Sequence, residues 1–404
     1  MIFTSSSTKP IYLPTCGKFA SSTTNQFRFA SRSSWEDARL KSIQSDAAKN
    51  SFMKRQQLKF IVLGAGINGL SCAFRLAEHY PDARIEIISE RFSPNTTSDV
   101  AAGLWEPYLS GDTSKQMLRK WSRETYEYFH RLWKAGRADE CGISLVPFIS
   151  CSKGPEPDDI FWKDFVFHYG DLTRERLEQL SQEHGEEYKS GTEFITFTCE
   201  PTKLMRVYTA VLKSRGITFR QQKIGSIQDL AREASTSTYV VVINCLGIGS
   251  RELLNDSKIG PSRGQVRRIE APWMFHVFCN DSAYVIPNTG SVTMGGIKQI
   301  DDYELEARQE DTETIKRGCH GIVPALERAP VKGEFVGLRP LRQAVRVETE
   351  WMETGDGNRF PVIHNYGHGG SGITLSWGCA GEVLTLVRNV IGEDIPAGRR
   401  KSKL

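Results

Sequence analysis

Lys59–Phe60–Ile61–Val62–Leu63–Gly64–Ala65–Gly66–Ile67–Asn68–Gly69–Leu70–Ser71–Cys72–Ala73 joins an apolar run of strand length to a glycine-rich turn and the start of a helix. Leu70, Phe74, Leu76 and Ala77 recur at helical spacing and give that helix an apolar face for a sheet. The three glycines have separate tasks. Gly64 permits the turn, Gly66 lets backbone approach a diphosphate, and Gly69 lets helix and strand pack closely. The diphosphate would sit at the helix N-terminus, where free N–H groups and the positive dipole end favour an anion. Arg84–Ile85–Glu86–Ile87–Ile88–Ser89–Glu90 reads as the next strand, and Glu90 stands about twenty residues past the glycines, where a ribose hydroxyl needs an acceptor. An acid there repels a 2′-phosphate, which argues against NADP.

The remaining composition narrows the class. At 404 residues the chain can hold two domains, and 39% hydrophobic with 25% charged residues is ordinary for a globular protein. No apolar stretch is long enough to cross a bilayer. Nine cysteines show no CxxC and no pairing rhythm, which suits a reducing compartment, and the eight histidines form no metal-ligand pattern. The formal charge of +4 is concentrated at one end: residues 1–57 hold nine Lys/Arg against three Asp/Glu, or +6, leaving −2 for the rest. That near-neutral body gives no support to nucleic-acid binding.

Along the chain, residues 1–34 are Ser/Thr-rich and basic, which reads either as a transit peptide or as a disordered extension ahead of an alternative start at Met53. Ser402–Lys403–Leu404 is a competing address, a peroxisomal signal on a basic tail. Residues 91–108 are rich in small and hydroxyl side chains; Thr96, Thr97 and Ser98 would hydrogen-bond a flat ligand, while Ala101–Ala102–Gly103 give it clearance. Residues 114–134 read as a helix with a core of Trp121, Tyr126, Phe129 and Trp133. Residues 140–200 look inserted into the first domain, and Tyr239–Asn244 returns the chain to its sheet. Short alternating strands at 263–269, 284–287 and 292–298 suggest an antiparallel sheet, followed by a helical stretch over 301–325. A second glycine-rich segment, His364–Asn365–Tyr366–Gly367–His368–Gly369–Gly370–Ser371–Gly372, precedes a helix over about 375–391 and repeats the opening device. His364 and His368 read as core rather than catalytic histidines.

Over residues 59–404 these segments resemble the D-amino-acid oxidase and D-aspartate oxidase flavoproteins, and more closely the former. The carriers are the opening turn, Thr96–Gly103, Arg263–Gly264–Gln265, Gly337–Leu338–Arg339–Pro340 and the 364–372 segment. The resemblance implies an α/β fold: a Rossmann-like FAD-binding domain with a parallel sheet (about 58–110, 200–255 and 335–395) interleaved with an α+β substrate domain with an antiparallel sheet (about 111–199 and 256–334). It implies FAD rather than NAD, held by Gly64, Ala65, Gly66, Ile67, Asn68, Gly69, Glu90, Arg91, Thr96, Thr97, Ser98, Ala102, Gly103, Leu104, Ile224, Gly369, Gly370, Gly372, Ile373 and Thr374. It also implies a substrate carboxylate on Arg339 and the Tyr284 hydroxyl, and an amine on the carbonyl of Gly370. A hydride then passes from Cα to the flavin with no side chain as base, and O2 is reduced to H2O2. The partners implied are a D-amino acid, O2, a peroxisomal import receptor and a second copy in a homodimer.

Substrate choice turns on two charges. Glu106 stands where the D-amino-acid oxidase branch has glutamine and would favour cationic substrates, whereas Lys298 stands where the D-aspartate branch has arginine. The alternative is that the two pair with each other and leave the pocket neutral. Only seven residues separate His276 from Tyr284, so an active-site lid there is short. The reading is a D-amino-acid oxidase for neutral and basic substrates, with a D-aspartate/D-glutamate oxidase as the alternative. A nicotinamide dehydrogenase would not need the 367–372 segment, and a silent cofactor-binding regulator would not need Arg339 and Tyr284.

Overall fold

A computed structural model describes residues 58–155, 160–234, 239–353, 357 and 359–392, which fall in one compact unit, Phe52–Leu404. The transit-peptide stretch and the Ser402–Leu404 signal lie outside the described residues. The opening run forms β1 (Leu58–Leu63), and the turn leads into α1 (Ile67–His79), whose apolar face is buried. Gly64 has φ +94°, and a Cβ there would lie 2.5 Å from the carbonyl oxygen of Cys245. Only glycine takes that conformation without strain. β2 (Arg84–Ser89) follows, then a single helical turn, α2 (Thr97–Val100), and the long helix α3 (Lys115–Lys134).

The inserted stretch supplies β3 (Ile143–Ser152), β4 (Phe167–Asp171) and β5 (Ser190–Cys199). The helix α4 (Pro201–Ser214) leads to β6 (Thr218–Gln221) and β7 (Tyr239–Asn244). The antiparallel part contains β8 (Ile259–Ile269), β9 (Val277–Cys279), β10 (Tyr284–Pro287), β11 (Val292–Gly295) and β12 (Gln299–Ile300). The expected helix over 301–325 is shorter, α5 (Gln309–Ile322), because the buried Arg263 holds the carbonyls of Glu304 and Glu306 in a loop ahead of it. The chain closes with β13 (Val331–Glu353), β14 (Arg359–His368) and α6 (Gly372–Ile391).

These strands make one 14-stranded sheet in the order β4-β5-β3-β9-β10-β11-β8-β13-β14-β7-β1-β2-β6, with β12 on β8. The end β14-β7-β1-β2-β6 is parallel, as a dinucleotide fold requires. From β10 to β14 the pairs are antiparallel. The 23-residue β13 joins the two regimes, pairing with β8 through residues 331–342 and with β14 from 341 onward. Arg339 therefore sits where the strand leaves one partner for the other. The helix α3, expected with the substrate part, instead packs on α6: Tyr128 stacks on Trp377 at 3.7 Å, and Thr125 Oγ1 accepts from the N–H of Gly378. Trp121, Tyr126 and Phe129 are core as expected, but Trp133 is exposed.

Candidate active site

Two helix N-termini converge at the glycine turns. The N-cap of α1 is Gly66, which has no side chain to cap with, and Ser98 Oγ takes the N–H of Ile67 at 3.1 Å. The N-cap of α6 is Ser371, but its hydroxyl makes no bond to its own helix. The 20-residue α6 thus presents a dipole end with no side-chain cap among the described residues, while the 13-residue α1 has its first N–H taken by Ser98. Asn68 lies between them, since a Cβ on Gly372 would be 3.7 Å from its Nδ2. Its Oδ1 is buried without a partner among the described residues, an acceptor that suits a hydroxyl-bearing cofactor.

The rest of the expected cofactor set flanks this turn. Ser89 Oγ accepts from the N–H of Ala65 (3.1 Å) and donates to the carbonyl of Arg91 (2.6 Å), so Glu90 and Arg91 leave the strand end exposed. Ile224 packs with Ile61, Leu63 and Ile88 beneath them. The hydroxyl segment differs from expectation. Thr96 commits its hydroxyl proton to Asp99 Oδ2 at 2.7 Å and so does not donate to a ligand. The methyl of Thr97 faces Gly337, and only Ser98 turns toward the glycine loop. Ala102 gives its carbonyl to Asn288 Nδ2 (2.9 Å), and Leu104 bridges to Thr198. The side chains and backbone of this set fit FAD.

Opposite residues on antiparallel strands share a face, so Arg339 lies with Ser262, and Tyr284 with Gly295 and Cys279. Gly264 and Gly295 are clearings: a Cβ at the first would collide with the Arg339 guanidinium, and at the second with the Tyr284 ring. The same face meets α2, where Gly337 approaches Val100 and Arg268 donates to the carbonyl of Asp99. Arg339 donates only to the carbonyls of Arg263 (3.3 Å) and Ile297 (3.1 Å), and no carboxylate pairs with it among the described residues. Ser262 Oγ and Thr293 Oγ1 on that face are also buried without partners among the described residues. Burial pushes the Tyr284 phenol up, and Arg339 only partly offsets this, so the hydroxyl remains a donor.

Neither residue type nor spacing marks Tyr108, yet its ring lies on Gly370, whose Cβ position it would block. Burial raises the Tyr108 phenol, the Arg339 cation opposes this, and the Glu106 charge adds to it. Glu106 also raises the thiol of Cys279, after burial. Glu106, Tyr108, Cys279, Tyr284 and Arg339 therefore form one cluster. Lys298 is exposed and makes no ion pair among the described residues, so the suggested pair with Glu106 is not seen. The 277–283 segment is a tight hairpin closed by Asn280 Oδ1, which accepts from the N–H groups of Ser282 (3.0 Å) and Ala283 (2.8 Å).

Thr374 Oγ1 accepts from the N–H of Glu106 (3.2 Å) and donates to its carbonyl (2.9 Å), fixing the residue that the sequence placed near the pocket. The hydroxyls of Ser371 and Thr374, one helical turn apart, were the available signal for this clamp. His364 and His368 are buried and held near a pKa of about 4, mainly by desolvation. His368 Nε2 pairs with Asn365 Oδ1 (3.1 Å) in the buried core.

A sheet that turns from parallel to antiparallel, two helix N-termini meeting at glycine turns and an arginine with no carboxylate partner among the described residues define a flavin-dependent oxidoreductase site. The chain belongs to the family described as FAD dependent oxidoreductase, whose model matches residues 59–386. It is 36% identical over 337 residues to D-aspartate oxidase of Homo sapiens, covering 82% of this chain and 95% of that protein. It is 34% identical over 333 residues to D-amino acid oxidase of Dugesia ryukyuensis, covering 82% and 97%. The fold is also that of glycine oxidase from Geobacillus kaustophilus, with a TM-score of 0.65, 17% identity and coverage of 82% and 94%. FAD is therefore the cofactor of this fold and family.

Proposed function

We propose that the protein catalyses oxidative deamination of D-amino acids, with neutral and basic side chains preferred. The observation that carries this is Arg339, a half-buried cation beside the cofactor cradle with carbonyls but no carboxylate for partners. A guanidinium so placed calls for an anion, and an α-carboxylate matches its fork. Tyr284 adds a protonated hydroxyl to the same carboxylate, and the carbonyl of Gly370 accepts from the amine. FAD, when bound, supplies the two-electron acceptor for the Cα–H bond, and O2 takes those electrons on to H2O2. The chain contributes orientation, and the reaction needs no side chain as a base. Hydrolysis of the imine releases a 2-oxo acid and ammonia.

Glu106 supports the preference, because its carboxylate is the acid in the cluster and opposes acidic side chains. A second reading, oxidation of acidic D-amino acids, is favoured by the exposed Lys298 and by the likeness to a D-aspartate oxidase. H2O2 production by the purified flavin-loaded protein on D-alanine, D-arginine and D-aspartate, with L-enantiomers as controls, separates the two. Turnover of the first two far above D-aspartate is expected. Preference for D-aspartate would transfer the selecting role to Lys298, and no turnover of any D-amino acid would sink the oxidase reading. Ser402–Lys403–Leu404 supports a peroxisomal address; a fluorescent fusion losing its punctate location when these three residues are removed would bear this out.

A further inference from the structure

Two carbonyls aim Arg339. Its Nη1 donates to the carbonyl of Arg263 (3.3 Å) and to that of Ile297 (3.1 Å). An Nη1 group has two hydrogens, so both are committed, and Nε and Nη2 form the edge without a partner among the described residues. That edge is the one a carboxylate can grip, and its direction depends on where the two carbonyls stand. Both belong to one strand pair. Arg263 in β8 lies opposite Gln299 in β12, and Ile297 is two residues ahead of Gln299.

The side chains of the opposed pair meet on a single acid. Arg263 is fully buried and commits all its nitrogens: Nε to the carbonyl of Glu304 (2.9 Å), Nη1 to Gln299 Oε1 (2.7 Å) and Asp311 Oδ2 (2.6 Å), and Nη2 to Gln265 Oε1 (3.1 Å) and the carbonyl of Glu306 (2.7 Å). The other oxygen of Asp311, Oδ1, accepts from Gln299 Nε2 (3.0 Å). Asp311, itself buried in the first turn of α5, thus grips both members of the pair. A charge as deep as Arg263 is tolerated only with partners of good geometry, so Asp311 holds Arg263 and Gln299 in one fixed arrangement. We propose that Asp311 is a positioning residue for substrate binding: through Arg263 and Gln299 it fixes the two carbonyls that set the angle of the Arg339 fork. The inference rests on Arg339 as the carboxylate site. A carboxylate gripped at the wrong angle tilts Cα away from the reacting position, so a frame held from α5 serves orientation as well as affinity.

The test reads binding and carries a neutral control. The flavin-loaded protein is titrated with benzoate and with its uncharged analogue benzamide, following the flavin absorption spectrum, and FAD affinity is measured by flavin fluorescence on dilution. Asp311→Asn keeps the size of the side chain and removes its charge. It should raise the Kd for benzoate about tenfold and leave those for benzamide and FAD within about twofold. Adding Gln299→Glu to Asp311→Asn returns a carboxylate to Arg263 Nη1 within the same contact and should restore the wild-type value. In Arg339→Ala, Asp311→Asn should add nothing, because the residue it acts through is gone. An equal loss for benzoate and benzamide, or one that persists in Arg339→Ala, is a general loosening of the fold and overturns the positioning role. An unchanged Kd for benzoate in Asp311→Asn overturns it too. If Asp311→Asn does not fold, Gln299→Met leaves the buried ion pair whole and should weaken benzoate alone by a smaller factor, an unchanged value again overturning the role. Failure of the underlying reading looks different. A benzoate Kd unmoved by Arg339→Ala removes the carboxylate site and the inference with it, whereas a wild type that binds benzoate through Arg339 but oxidises no D-amino acid sinks the reaction alone.

Discussion

Arg339 shows how one side chain acquires a function from its surroundings. Arg263 is nearby on the neighbouring strand and is fully buried, but it pairs with Asp311 at 2.6 Å and so holds structure together. Arg339 has no such carboxylate, and its guanidinium lies in a clearing over Gly264. Arg339→Ala should therefore reduce kcat/KM for D-alanine by roughly 2–5 kcal/mol, with Arg339→Lys intermediate because a lysine cannot form the fork. Steady-state kinetics would show it, and a wild-type KM in the alanine variant would place the carboxylate elsewhere. Glu106→Gln tests the selecting charge: the ratio of kcat/KM for D-arginine to D-aspartate should fall by about tenfold. An unaltered ratio would remove Glu106 from selection. Arg339, Tyr284 and Glu106 could be named from the sequence because flanking motifs marked them. Tyr108 could not, since nothing in an aromatic followed by Leu109 says that its ring will rest on a glycine 262 positions later.

At the scale of elements, Asp99 explains why the hydroxyl segment behaves differently from expectation. Its buried carboxylate accepts from Ser93 Oγ (2.6 Å), the N–H and Oγ1 of Thr96 (3.0 and 2.7 Å) and Thr202 Oγ1 (2.9 Å). It thereby fastens α2, which carries Ser98, to α4. The sequence made the small and hydroxyl residues visible as a ligand-facing segment, but the acid that orients them looked like one more polar residue. Asp99→Ala leaves these donors buried without an acceptor. We expect a loss of roughly 3 kcal/mol or more in unfolding free energy, together with faster FAD release. Urea unfolding and flavin fluorescence on dilution measure the two. A variant as stable as wild type would show that α2 is held by packing alone. By contrast β1, α1 and α6 were legible to within a turn, because each pairs an uninterrupted apolar period with a glycine signal. The join between α3 and α6 was not, since both helices are amphipathic and nothing local states which partner each selects.

Over the whole molecule, one sheet serves both the cofactor and the substrate, and the buried groups at its centre set how the protein answers to acid. His364 lies on β14 between β7 and β13. Its Nδ1 accepts from Asn244 Nδ2 (3.3 Å), and its Nε2 meets Glu350 Oε2 (3.0 Å). Glu350 and Glu348 favour the protonated ring, but burial and the nearby Arg346 outweigh them, so His364 is neutral with its proton on Nε2. His368 is held neutral by burial alone. Both fall from the model-compound value of 6.5 to about 4. Below pH 6.5 the unfolded chain takes up protons that the folded chain refuses, so stability present at neutral pH is lost as the pH falls from 6.5 toward 4. Glu124, raised by burial beside Arg75, runs the other way, but only around and above the ordinary carboxylate value of 4.5. Between pH 6.5 and 5 the two histidines at the sheet centre should therefore add a falling slope of up to about 1.4 kcal/mol per proton per pH unit. Urea unfolding at steps across this range, for wild type and His368→Gln, isolates one of them. The variant should be less steep by one proton. An identical slope would mean that His368 titrates normally in the fold, and hence that water reaches the core beneath the glycine turn.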